Sequence, residues 1–228
     1  MTSSTRGAEN TLGEDPQVEP GVTDGHMAVL IDIVDYLSVG VILTDANCRP
    51  IFTNRAAREI ITAESGLAFA NSHLANSSAI ATQQLHKIIE KVAAHDETAP
   101  LASSVFAMLL PRKDGQNPLS VIVAPVRKSA SKNAHAKIAA ILFVSDPDFD
   151  VDLPKSLLRT LFGLTQSEAK IAVAVANGES LEQLAKTSGV KVSTVRTHLK
   201  KIFEKTGRVR QAELVRMLTK VYGFLRFD

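Results

Sequence analysis

The stretch Leu181–Lys205, LEQLAKTSGVKVSTVRTHLKKIFEK, constrains the fold of this chain more than any other. Two segments of helical apolar spacing are separated only by Ser188-Gly189-Val190, which leaves room for a tight turn and nothing longer. Ala185, four residues before Gly189, permits close helix approach, and Gly189 can take the positive φ that ends a helix. Val195, six residues after Gly189, anchors the second segment in a core. That segment sets Ser, Thr, Arg and Lys along one side. Two helices joined in this way lay the second one in the major groove of DNA.

The flanks extend the pattern. Thr165-Gln166-Ser167-Glu168 has the spacing of a capping box, in which the Thr hydroxyl takes a backbone N–H and the Glu reaches back to the cap. The helix it opens runs to about Ala176 and stops at Asn177-Gly178. Ser180 and Gln183 repeat the box and start a helix to about Thr187. A third helix runs to about Thr206, and a fourth spans Gln211 to about Tyr222 with Leu214, Val215, Leu218 and Val221 on one face.

Four short helices with LTQSEAKI, the Asn-Gly pair, LEQLA, the Gly-Val turn, STVRTHLKKIFEKTG and QAEL resemble the LuxR-type helix-turn-helix, over nearly all of residues 164–218. The resemblance implies an all-α four-helix DNA-binding domain over 164–228, in a bacterial, cytoplasmic transcription regulator. It places Arg196, Thr197 and Lys200 against base edges, where Arg can bond guanine O6 and N7 together and the Thr methyl can meet thymine. Ser193, Thr194, Lys201 and Lys205 suit phosphates, which helix N-termini and cations bind without reading sequence. Val192, Val195, Leu199, Ile202 and Phe203 are apolar and read as core. His198, lying among them, reads as a packing residue. Arg208 and Arg210 are either phosphate contacts or ordinary loop residues. The family's usual Ser or Thr cap is Lys191 here, so either Ser193 caps a later start or the cap is lost, at about 1 kcal/mol. The fourth helix forms the family's dimer contact, which places Leu214, Val215 and Leu218 at a homodimer interface. One module reads too few base pairs for genomic specificity, which also calls for a dimer. RNA polymerase is a further partner that a regulator of this kind implies.

Charge agrees with a phosphate-binding C-terminal half. Residues 164–222 hold eleven Lys or Arg against five acids, whereas residues 1–27 hold one Arg against five acids. With 228 residues the chain is long enough for two cores. No apolar run approaches the roughly 20 residues needed to span a bilayer. The N-terminus lacks the basic start and apolar core of a signal peptide, so a cytoplasmic location without membrane contact is expected. The lone cysteine, Cys48, excludes an intramolecular disulfide and a Cys-based zinc cluster.

Residues 1–27, rich in Ser, Thr, Gly, Glu and Pro, cannot bury enough apolar surface to offset ordering and are expected to form a disordered tail. Met27–Leu37 predicts a short helix, and Val39–Asp45 and Pro50–Asn54 predict two strands around the turn Ala46-Asn47-Cys48-Arg49. Arg55–Thr62 and Ser78–Ala94 predict helices. Ser104–Leu110, Leu119–Val126 and Ile138–Val144 predict three strands, the first two joined by Asp114-Gly115. The order implies an α+β domain with an antiparallel sheet and helices to one side. GVILTDANCRPIFTNRAAREII resembles the opening of a PAS sensor domain, and the later strands fit its closing part. The resemblance covers roughly 28–146 and implies a sensor and dimerisation domain, followed by a linker over 147–163 in which Ser156–Phe162 predicts a short helix ended by Gly163.

The order of elements does not fit a phosphoacceptor receiver, and the absence of tryptophan does not fit an acyl-homoserine-lactone domain. Cys48 sits in the first turn, away from the later helix where a flavin PAS would need it. His86 is the one candidate axial ligand for haem, on a helix where histidine is commonplace. No cofactor is predicted; a small apolar ligand in the PAS-like core and pure dimerisation both stay open. No triad spacing, Gly-rich phosphate loop or HExxH points to catalysis, so no catalytic or metal residue is assigned. The alternative function is a module that binds protein through the PAS-like sheet, with weak or non-specific DNA contacts.

Overall fold

The computed structural model describes residues 24–62, 65–95, 100–112, 116–126, 138–149 and 153–222. The expected N-terminal tail up to residue 23, the Asp114-Gly115 turn and the Lys128–Lys137 loop lie outside them. In chain order the elements are α1 (Asp24–Asp35), β1 (Gly40–Thr44), β2 (Pro50–Thr53), α2 (Arg55–Thr62), β3 (Leu67–Ala70), β4 (His73–Asn76) and α3 (Ala79–Ala93). There follow a 3₁₀ turn at Leu101–Ser104, β5 (Phe106–Leu110), β6 (Leu119–Pro125), β7 (Ala140–Ser145) and α4 (Lys155–Phe162). The chain continues through α5 (Gln166–Ala176), α6 (Leu181–Ser188), α7 (Val192–Thr206) and α8 (Gln211–Tyr222). The architecture is α+β, as expected.

The front half is a five-stranded antiparallel sheet in the order β2-β1-β7-β6-β5. Alternation of apolar residues puts Ile42 of β1, Ala140, Leu142 and Val144 of β7, and Leu119, Val121 and Val123 of β6 into one buried cluster. Ala81, Leu85, Ile89 and Val92 of α3, at helical spacing, join that cluster, as do Ala57 and Ile60 of α2. Gly40 permits the fit of α2 on β1: a Cβ there would lie 3.0 Å from the Cα of Ala57.

Two departures from expectation concern this half. The hairpin β3–β4 was not foreseen; it supplies Leu67 and Leu74 to the core and turns at Asn71 and Ser72, both at positive φ (49° and 63°). Its turn lacks the glycine that usually marks such a hairpin, and its strands of four residues are too short to show alternation. The helix expected from Met27 starts at Asp24, so residues 24–27 belong to α1 and not to the tail.

Asn54 ties these elements together. It is fully buried, and its Oδ1 accepts from the backbone N–H of Val41 (2.7 Å) and of Ala57 (2.9 Å). Its Nδ2 donates to the carbonyls of Val34 and Val39, each at 3.0 Å. One side chain thus caps α2, holds the start of β1 and fixes the end of α1. Asp35 adds a second tie, accepting the Arg55 N–H at 2.6 Å. At the other end of the sheet, the buried guanidinium of Arg112 bonds Asp146 at 2.6 Å, where the chain leaves β7.

The second core contains Leu164, Ala169, Ala172, Val175, Leu184, Val195, Ile202 and Leu214 from the helices that follow. Leu153 and Leu158 also lie in it. The short helix expected at Ser156–Phe162, within the 147–163 linker, is α4, which buries Leu158 in this core and ends, as expected, at Gly163 in the left-handed region. Among the described residues, no helix is long and apolar enough to cross a membrane.

Candidate nucleic-acid interface

Both expected capping boxes are present. Thr165 accepts from the Glu168 N–H at 3.3 Å, and the Glu168 carboxylate accepts from the Thr165 N–H at 2.8 Å. Ser180 and Gln183 repeat the exchange at 3.2 and 2.8 Å. α6 ends at Gly189, φ 65°, with the Val190 N–H on the Ala185 carbonyl (3.0 Å) and the Gly189 N–H on that of Lys186 (3.3 Å). This paired closure is what a left-handed residue after a helix provides. Ala185 is buried, as its place in the helix contact requires.

α7 begins at Val192. Lys191 occupies the cap position and makes no side-chain cap bond, which settles the start of the helix: the cap is lost, and Ser193 lies inside the first turn. Val195, Leu199 and Ile202 are buried, with Val192 and Phe203 packed beside them. Ser193, Arg196, Thr197, Lys200 and Lys201 are all exposed. The Thr197 hydroxyl donates back to the Ser193 carbonyl at 3.0 Å, so its polar end is engaged by the helix itself. Thr194 is exposed next to the uncapped N-terminus. The half-buried His198 keeps Nδ1 shielded, with no hydrogen-bond partner among the described residues. Arg208 and Arg210 are exposed beyond the end of α7.

Two of the expected site assignments change. Lys205 is exposed, but its ammonium is engaged by the fold: its Nζ donates to Glu168 Oε2 at 2.7 Å and to the Gly163 carbonyl at 2.9 Å. A cation so held is not a free phosphate ligand. The Glu168 side chain is only 3% exposed. Burial pushes its pKa upward, but the hydrogen bonds from Lys205 and Thr165 outweigh that and hold it below its ordinary value of 4.5. Sequence spacing pairs residues within one helix turn and could not show a contact 37 positions apart.

Leu214 and Leu218 are 0% and 1% exposed and lie in the protein's own core, so they offer no surface to a second copy. Val215 is half-buried and packs against the same core. Among the α8 side chains described, the exposed ones are polar or small: Gln211, Ala212, Glu213, Arg216 and Lys220. A buried stripe and a contact stripe look alike in sequence, since both are apolar at helical spacing.

In the front domain, Cys48 is buried at φ 62°, and its thiol is pushed up to about 11 by burial, then by the charges of Glu90 and Asp45. It is therefore protonated near neutrality. His86 Nε2 lies 2.6 Å from the Leu74 carbonyl and must donate there, so that nitrogen is engaged by the backbone. Thr44 is fully buried with its hydroxyl unpartnered among the described residues. Among those residues, no group of three His, Cys, Asp or Glu could hold a metal ion.

Comparison with known proteins gives shallow likenesses. No family model and no curated protein sequence matches the chain. A solved phage VqmA–DPO complex is 15% identical over 87% of this chain and 90% of that one, with a TM-score of 0.36. A Vibrio cholerae VqmA dimer, described among LuxR-type receptors, is 18% identical over 85% and 87%, with a TM-score of 0.35. The PAS domain of Bordetella pertussis BvgS is 16% identical over 60% and 92%, with a TM-score of 0.34. At this depth a likeness carries no functional weight for this chain.

Proposed function

We propose that the chain is a sequence-specific, double-stranded DNA-binding transcription regulator. Its second core is a four-helix LuxR-type helix-turn-helix with α7 in the major groove, and its α+β half is a PAS-like sensor. The observation that carries this reading is the sidedness of α7. Val195, Leu199 and Ile202 are buried, while Arg196, Thr197 and Lys200 stand exposed on the far side of a left-handed turn. Arg196 and Lys200 have no ion-pair partner among the described residues, so neither must break an internal contact to meet a base edge. Ser193, Thr194 and Lys201 flank them and suit phosphates. Lys205 is withdrawn from that set.

Homodimerisation belongs to the same proposal, and its best support now comes from α1. Val29, Leu30, Ile31, Ile33 and Tyr36, on and just after α1, are 39–55% exposed. A cluster of exposed large apolar side chains on one helix is one that something must cover. A second copy of the chain would do so while setting two α7 helices for two half-sites.

Fluorescence anisotropy tests the reading, using duplexes that the full-length protein enriches from a randomised pool. Arg196→Ala or Lys200→Ala should cost about 1–3 kcal/mol on an enriched duplex, and Lys201→Ala should flatten the salt dependence by about one unit of slope. Unchanged binding in both Arg196→Ala and Lys200→Ala would sink the recognition-helix assignment. One observation favours the alternative, a protein-binding sheet with weak DNA contacts: Leu109 of β5 and Ile122 of β6 are 62% and 45% exposed. Under that alternative the pool shows no enrichment.

A further inference from the structure

The Lys205–Glu168 pair does more than close a surface. Glu168 is the third residue of α5 and already caps it through the Thr165 N–H. Its Oε2 also takes the Lys205 ammonium, from the last turn of α7. The same ammonium bonds the Gly163 carbonyl, at the left-handed end of α4. One buried carboxylate and one ammonium therefore join the end of α4, the start of α5 and the end of α7. Among the described residues, the other contacts that fix α7 in the core are apolar: Val195, Leu199 and Ile202, with Val192 and Phe203 beside them. Apolar contacts hold a helix in place but are not directional, whereas charged hydrogen bonds prescribe an angle.

We infer that Lys205 and Glu168 are positioning residues for base reading, fixing the tilt of α7 without touching DNA. This rests on the DNA reading above. Lys205 and Arg196 are nine residues apart, about 13 Å along the helix axis. A tilt of only about 5° about the α7 end therefore displaces Arg196 by about 1 Å, beyond the tolerance of about 0.5 Å for a productive bidentate contact. A phosphate contact from Lys201 tolerates such a shift, because Lys201 is close to the pivot and its flexible ammonium follows its partner. The latch thus separates two properties. Specific binding needs it and non-specific binding does not.

The experiment uses full-length protein, a duplex enriched by the wild type from a pool with a randomised core of about 20 base pairs, and poly(dI-dC) as the non-specific polymer. The readout is the ratio of the two affinities, taken well below the melting temperature of each variant. Lys205→Met should lower the ratio about tenfold, with non-specific affinity and its salt slope unchanged. Lys205→Arg, which can reach both oxygens, should restore most of it. The pair Glu168→Gln with Lys205→Met keeps the local charge and a capping side chain, and should not restore it. A variant that is merely less folded loses both affinities equally, so an unchanged ratio in Lys205→Met overturns the inference while leaving the DNA reading intact. Restoration by the charge-neutral pair also overturns it. If the wild type enriches no duplex, the DNA reading fails and this inference falls with it.

Discussion

Asn54→Ala removes four hydrogen bonds with one substitution, and the structure allows its cost to be worked out. Two of the lost bonds leave the backbone N–H groups of Val41 and Ala57 without their acceptor, and two leave the carbonyls of Val34 and Val39 without a donor. A satisfied bond contributes about 1 kcal/mol, and a buried group left unpaired costs about 1–3 kcal/mol. Asn54 is fully buried and its bonds to the Val41 and Ala57 N–H groups are buried with it, but those to the Val34 and Val39 carbonyls are only partly buried, where some rehydration is available. The loss should therefore be about 3–5 kcal/mol, or about 12–20 °C in the melting temperature of a domain of this size. Asn54→Asp keeps the acceptor but turns a carboxylate toward two carbonyl oxygens. Its folded pKa must rise above the unfolded value, so the folded state binds the extra proton and stability is regained as pH falls. Thermal melts of both variants between pH 4 and pH 8 (set by the assay, about the carboxylate range) would measure this, with amide exchange at Val41 and Ala57 as a local probe. A loss below about 1 kcal/mol for Asn54→Ala, or an Asn54→Asp variant indifferent to pH, would refute the reasoning.

Three further outcomes are expected. Glu168 has a depressed pKa, so its contribution is complete above the ordinary carboxylate value of 4.5 and is lost as pH falls below it through the lower folded value; Glu168→Gln should flatten this acid limb of the melting curve, and a parallel limb in the variant would contradict the assignment. Leu30→Glu with Ile33→Glu on α1 should shift the protein from dimer to monomer in light scattering at micromolar concentration, while Arg216→Glu on polar α8 should not; the opposite pattern would return the interface to α8. Cys48, with its thiol pushed up to about 11, should resist a thiol reagent at pH 8 by at least about 100-fold relative to a free cysteine, until the domain is denatured.

The parts of this fold that sequence makes legible are those set by local periodicity and local hydrogen bonding. Thr165 and Glu168, or Ser180 and Gln183, are three residues apart, and their capping boxes follow from backbone geometry. The α7 segment, Val192–Thr206, follows from the turn before it and the Gly207 after it. The hairpin β3–β4 was hidden because Asn71 and Ser72 adopt positive φ without a glycine to announce it. Asn54 was visible as the end of a strand, yet its bonds reach 13, 15 and 20 positions back along the chain, beyond any local pattern.

Lys205 shows why composition alone misassigns a charged helix. On α7 it reads like Lys200 and Lys201, one more cation for phosphate, and the three differ only in what tertiary structure sets opposite them. For Lys205 that is a carboxylate 3% exposed, and burying an unpaired carboxylate is far costlier than leaving a lysine in water. The fold must therefore supply a partner for Glu168, and the exposed Lys205 turns its ammonium onto it. The same reasoning applies to α8, where the apolar stripe of Leu214 and Leu218 is consumed by its own core and leaves Gln211, Glu213, Arg216 and Lys220 exposed among the described side chains. A dimer driven by apolar burial must then draw on surface left uncovered elsewhere, and α1 has it. Under the proposed function, the α+β half would in that case set the spacing of the two copies of α7.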